Sequence, residues 1–115
     1  MPKYDLFKAL PLLAYVERLH IRYKPGSPNS DTCRRLLLTL LNSDTKRRFP
    51  LLSYTYELLN YDDRPEIAMT LTSKVSHRFY ADENSLEDIH RAIDGDQYKA
   101  HVQYLKERSL EAKRD

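Results

Sequence analysis

Residues 16–41 change their hydrophobic period across a single turn, and that change limits what the chain can fold into. In 16–24, Leu19, Ile21 and Tyr23 alternate with His20, Arg22 and Lys24, the period-two pattern of a half-buried strand. Pro25-Gly26-Ser27-Pro28-Asn29-Ser30 then breaks the chain with two prolines among other turn formers. Beyond it, Cys33, Leu36, Leu37, Leu40 and Leu41 recur at i, i+3, i+4, i+7 and i+8, one continuous helical stripe. Ser27 could cap this helix with Pro28 at its first position, or Ser30 could cap it with Asp31 in the first turn. Its end is expected near 42–44. A strand that feeds straight into a helix calls for a second, parallel strand to receive the crossover.

The rest of the chain supplies that strand and two more. In 51–59, Leu52, Tyr54, Tyr56 and Leu58 alternate with polar residues, and a polar turn at 60–64 precedes Pro65. Ile67, Met69 and Leu71 mark a third strand over 66–72, which Ser73-Lys74 joins to a fourth over 75–81, an antiparallel hairpin. Ser85-Leu86-Glu87-Asp88 reads as a capping box opening a helix that buries Leu86, Ile89 and Ile93 and stops at Gly95. Residues 96–115 are helix-prone with only Tyr98, Val102 and Leu105 as spaced anchors, so they are expected to project and to need a partner. The expected fold is α/β, a four-stranded mixed sheet in the order β-α-β-β-β-α plus a C-terminal helix. It divides into an N-terminal extension (1–14), a domain (15–95) and a C-terminal helical extension (96–115).

Composition narrows the function classes. The chain has 115 residues, enough for one domain, and a 41% hydrophobic fraction that can fill one modest core. Its longest apolar run, Leu36 to Leu41, falls far short of the ~20 residues a spanning helix needs, so no membrane span is expected. Residues 1–14 lack arginine and make a poor transit peptide, so an import signal would be internal or already removed. Net charge is only +2, but the cations cluster at Arg22/Lys24, Arg34/Arg35, Lys46/Arg47/Arg48 and Lys74/His77/Arg78, while acids gather at 57–66 and 82–96. If several clusters face one way they would suit a phosphate backbone.

No catalytic constellation emerges, and no enzyme activity, cofactor or metal is expected. The single cysteine, Cys33, has no CxxC companion and sits on the apolar stripe, where it reads as a small hydrophobe rather than a thiolate. Neither GxGxxG nor GxxxxGK[ST] is present at the Pro25–Ser30 turn, although a helix N-terminus there could take an RNA phosphate. His20, His77, His90 and His101 have no metal-ligand spacing. Of nine tyrosines, Tyr54, Tyr56 and Tyr80 are expected to fill the core from their strands, and Tyr61, Tyr98 and Tyr104 to be more exposed.

The strand ending in Tyr23-Lys24-Pro25, the helix from Ser27 with early Arg34 and Arg35 before its leucines, and Pro65 before an alternating strand form a recognisable sequence. Residues Tyr15 to about Ile93 resemble a family of small mitochondrial thioredoxin-like proteins without a redox centre. That family includes mitoribosomal proteins, with the large-subunit type numbered fifty-three the nearest in pattern, and the B8 accessory subunit of respiratory complex I. Its hairpin commonly turns through an Asp-Gly pair, where this chain has Ser73-Lys74, and residues 1–14 have no counterpart. The resemblance implies a thioredoxin-like sheet, with Pro65 at the position where such folds place a proline before the third strand. It also implies an architectural role in the mitochondrial matrix, contacting ribosomal RNA and neighbouring mitoribosomal proteins in the large subunit. Arg22, Lys24, Arg34, Arg35, Lys46, Arg47, Arg48 and Arg78 are the candidate RNA contacts. The alternatives are an accessory, protein-binding subunit of complex I, and a monothiol redox protein acting through Cys33.

Overall fold

The computed structural model describes residues 10–114, with side chains through 107. Seven elements run in the order β1 (Val16–Tyr23), α1 (Asp31–Leu41), α2 (Ser43–Arg48), β2 (Ser53–Leu58), β3 (Glu66–Leu71), β4 (Ser76–Tyr80) and α3 (Leu86–Arg114). They build an α/β fold around one mixed sheet of order β2-β1-β3-β4. β1 and β2 are parallel, as a crossover through helices requires, and β3 runs antiparallel to both β1 and β4.

Alternation sorts the sheet into two faces. Leu19, Ile21 and Tyr23 of β1 stand beside Met69 and Ile67 of β3 and are buried. Cys33, Leu36, Leu37 and Leu40 of α1 and Ile89 and Ile93 of α3 pack on the same side, so a single core lies between the sheet and one layer of helices. The opposite face carries Arg18, His20 and Arg22, and no described helix packs on it.

Between β1 and α1 the Ser27 N–H bonds the Lys24 carbonyl at 3.2 Å, with Pro25 and Gly26 at the two central positions and Gly26 at φ +81°. That is a turn whose third residue only glycine adopts cheaply. The β3–β4 hairpin closes through Lys74 in the left-handed region (φ 74°), its N–H bonded to the Leu71 carbonyl at 2.9 Å. This is the position at which a three-residue hairpin loop prefers glycine. Lys74 is held there in part by Glu17, 2.8 Å from its Nζ.

Several expectations need correction. The two C-terminal helices are one. The capping box forms as read, with the Ser85 N–H to Asp88 Oδ2 at 3.0 Å and the Asp88 N–H to Ser85 Oγ at 3.1 Å. The helix then continues through Gly95, which faces solvent with nothing within 4 Å of where a Cβ would stand. Glycine in a helix costs about 1 kcal/mol relative to alanine, and packing beyond it outweighs that. Gln97 and His101 are buried, and the Gln97 amide bridges the Tyr15 N–H (2.9 Å) and the Pro11 carbonyl (3.0 Å). Tyr15 Oη meets His101 Nδ1, and His90 Nε2 meets the Leu10 carbonyl at 2.6 Å. Residues 10–15 thus dock on α3 with a satellite cluster of Leu10, Ala14, Tyr15 and Ala100. Residues 1–9 of the expected N-terminal extension lie outside the described residues.

Three further differences concern the edges. A short helix, α2, follows α1 directly, opened by the Asn42 side chain accepting from the Asp44 N–H at 3.0 Å. Leu41 belongs to the α1 stripe by spacing but is 55% exposed, in an open groove that it lines with Tyr54. Tyr54 and Tyr56 do not fill the core: β2 is an edge strand and all six of its residues are exposed. Tyr80 pairs with Glu66 on the polar face, where the Arg64 guanidinium lies 3.8 Å from its ring centre. No peptide bond among the described residues is cis, so Pro65 is trans.

Candidate nucleic-acid interface

The polar sheet face is the surface best built for an extended ligand. β1 contributes Arg18, His20 and Arg22, β2 Ser53, Thr55 and Glu57, β3 Glu66, Ala68 and Thr70, and β4 Ser76 and Arg78, each set following from strand alternation and register. The twisted sheet leaves a shallow concavity of about 630 Å³, rimmed by Arg18 and Arg78 and floored by Ala68 and the hydroxyls of Thr55, Thr70 and Ser76. Ala68 is small enough to leave the centre open. The hydroxyls are already oriented: His20 Nδ1 lies 2.7 Å from Thr55 Oγ1, and Thr70 Oγ1 lies 3.3 Å from Ser76 Oγ.

The charges here are largely matched within the protein. Arg22 donates to Asp63 Oδ2 at 2.7 Å and to the Tyr61 hydroxyl at 2.6 Å, and approaches Glu57 at 3.3 Å. The hydrogen bond to Asp63 raises the Arg22 pKa further. In return the guanidinium and the Arg64 N–H hold the Asp63 carboxyl below the usual carboxylate range. Glu66 stands beside Arg22 in register and receives Arg78 Nε, whose hydrogen bond lowers its pKa. Lys24 meets Asp62 at 2.9 Å at the rim. Among the described residues Arg18 makes no ion pair, although its charge acts on the adjacent Glu17, and its exposed head is available to a ligand.

The eight candidate cations therefore divide. Arg22 and Arg78 share the polar sheet face, with Lys24 at its end. Arg34 and Arg35 lie on the solvent side of α1, in the helical layer, with Arg34 3.7 Å from Asp31. Lys46, Arg47 and Arg48 project from α2, where Arg47 pairs with Asp44 at 2.8 Å and Arg48 lies 5.1 Å from the Phe49 ring centre. Arg18 was missed as a candidate, together with the hydroxyl floor. The signal existed: the alternation that exposes His20 and Arg22 also exposes Arg18 two residues earlier.

Cys33 and His77, groups capable of chemistry, serve structure. Cys33 is fully buried, and burial pushes its thiol up to about 12, far from a thiolate at neutral pH. His77 Nε2 lies 2.9 Å from Asp96 and joins β4 to α3. Among the described residues no three of His, Cys, Asp and Glu converge as metal ligands, and no helix is long and apolar enough to cross a membrane.

Residues 11–105 match the model of the family described as Domain of unknown function (DUF8302), and the chain belongs to that family. The matched span reaches from the segment docked on α3 to well past Gly95. No curated protein gives a significant match.

Proposed function

We propose that this member of the DUF8302 family is a non-catalytic architectural subunit of a ribonucleoprotein, the large subunit of the mitochondrial ribosome in the matrix. In this reading its polar sheet face lies on ribosomal RNA. The observation that carries the reading is the shallow concavity that Arg18, His20 and Arg78 line together with the oriented hydroxyls of Thr55, Thr70 and Ser76. Phosphates need such donors at a spacing that a sheet provides, and they position a protein without demanding sequence. The finer fold reading supports it. The order β2-β1-β3-β4, parallel then twice antiparallel, is compatible with a thioredoxin-like domain without a redox centre, since the turn leading into α1 holds no cysteine and Cys33 is sealed in the core.

The test is sedimentation of a mitochondrial lysate at low magnesium. Comigration of the chain with the large ribosomal subunit, lost after ribonuclease, is the expected result. A free position, or comigration with complex I, removes the proposal. On isolated RNA, Arg18→Gln should lower the salt dependence of binding by about one phosphate's worth, a slope change near ~0.7–0.9. The complex I reading keeps one specific observation in its favour, the exposed tyrosines of β2, and predicts no effect of ribonuclease.

A further inference from the structure

Strand β2 is the more open of the sheet's two edge strands. By register Tyr54, Tyr56 and Leu58 continue the core face of Leu19, Ile21 and Tyr23, yet they are 37%, 49% and 51% exposed. Beside them Leu41 reaches into a groove with Tyr54, and Leu38, one turn earlier on the same flank of α1, is 61% exposed. The free edge of the strand is also unguarded. The Leu59 N–H bonds the Tyr23 carbonyl at 2.9 Å, toward β1. Since successive residues point their backbone groups to opposite sides, Tyr54, Tyr56 and Leu58 aim theirs outward. No proline, lysine or bulge interrupts 53–58, the devices that normally blunt such an edge.

We propose that this edge pairs antiparallel with the same edge of a second copy of the chain, about a two-fold axis at Tyr56, joining two sheets into one of eight strands. Pairing about Tyr56 sets Tyr56 against its own copy, Tyr54 against Leu58 and Thr55 against Glu57, so no like charges oppose one another. An antiparallel meeting about a two-fold axis uses the same edge of both copies, so the pair closes on itself. The area suffices. At about 200 Å² for a fully exposed large apolar residue, the five exposed side chains leave about 500 Å² open per chain. Full coverage of these side chains on both copies would bring the pair to the ~1,000 Å² at which a specific interface begins, before the strand backbones are added. The inference is independent of the RNA reading.

The experiment is sedimentation equilibrium of the full chain at tens of micromolar, with oxidative crosslinking of variants that add one cysteine on the exposed strand to the buried Cys33. A mass near twice 13.6 kDa is expected. Tyr56→Lys, at a half-exposed site that leaves the fold intact by circular dichroism, should raise the dissociation constant at least about tenfold. Tyr56→Cys should crosslink readily, because directly paired residues of this kind stand ~5.5 Å apart, within disulfide reach. Ser53→Cys should not crosslink, since the axis carries it far from its copy. A monomer at these concentrations overturns the proposal, including one that binds a different protein by this edge. So does a dimer indifferent to Tyr56→Lys, or equal crosslinking at both sites.

Discussion

Replacing Gln97 by methionine tests what carries α3 past its glycine. The substitution keeps length and helix propensity and removes only the amide, which accepts from the buried Tyr15 N–H at 2.9 Å and donates to the Pro11 carbonyl at 3.0 Å. Leaving a buried donor without its acceptor costs about 1–3 kcal/mol, and the Tyr15 N–H belongs to a residue only 1% exposed, so about 2 kcal/mol falls there. The Pro11 carbonyl is partly buried and can recruit water, so its loss adds about 1 kcal/mol. The total, about 3 kcal/mol, corresponds to a fall of roughly 10 °C in Tm for a domain of this size. Thermal melts followed by circular dichroism give the total, and amide exchange locates it. Protection should fall most in 10–15 and in α3 beyond Gly95, while β1 and β3 exchange later. A Gln97→Met protein within about 1 kcal/mol of the parent, with exchange unchanged beyond Gly95, would refute the claim that this bridge holds the long helix.

Three other outcomes follow from the geometry. Gly26→Ala places a Cβ at φ +81° in open space, so the cost is conformational only, about 1 kcal/mol by urea unfolding with an unchanged m-value. Asp63, Glu66, Asp82, Asp88 and Glu17 all have pKa values lowered by hydrogen bonds, from Arg22, Arg78, Arg64, Ser85 and Lys74 respectively. Folded values below unfolded ones mean stability that is present above about pH 4.5 and lost as pH falls through the folded values, so Tm should hold from pH 7 to about 5 and drop steeply below about 4. Cys33 should resist iodoacetamide in the folded protein and react at the rate of unfolding; rapid labelling at neutral pH would reopen the redox reading.

Local pattern determined much of this protein. The two periods either side of Pro25–Ser30 specify β1 and α1, because alternation and 3.6-residue spacing bury one face of each whatever surrounds them. The capping box at Ser85 and the Pro-Gly turn are likewise local chemistry, closed by atoms a few residues apart. The candidate site was half legible for the same reason: alternation places Arg22 on a face opposite Ile21, and it would have placed Arg18 there too. What local pattern leaves open is which elements meet. β2 alternates as cleanly as β1, yet only strand order decides that it is an edge whose Tyr54 and Tyr56 stay uncovered. Gly95 is a stop in isolation and a mid-helix residue here, because Gln97 and His101 find partners more than eighty residues away. The eight cations separate onto a sheet face and a helical layer, a division set by the crossover and invisible in their spacing. Burial and partners at long range are energies that neighbouring residues do not contain, and in this chain those energies decide the edge, the length of α3 and which charges remain free.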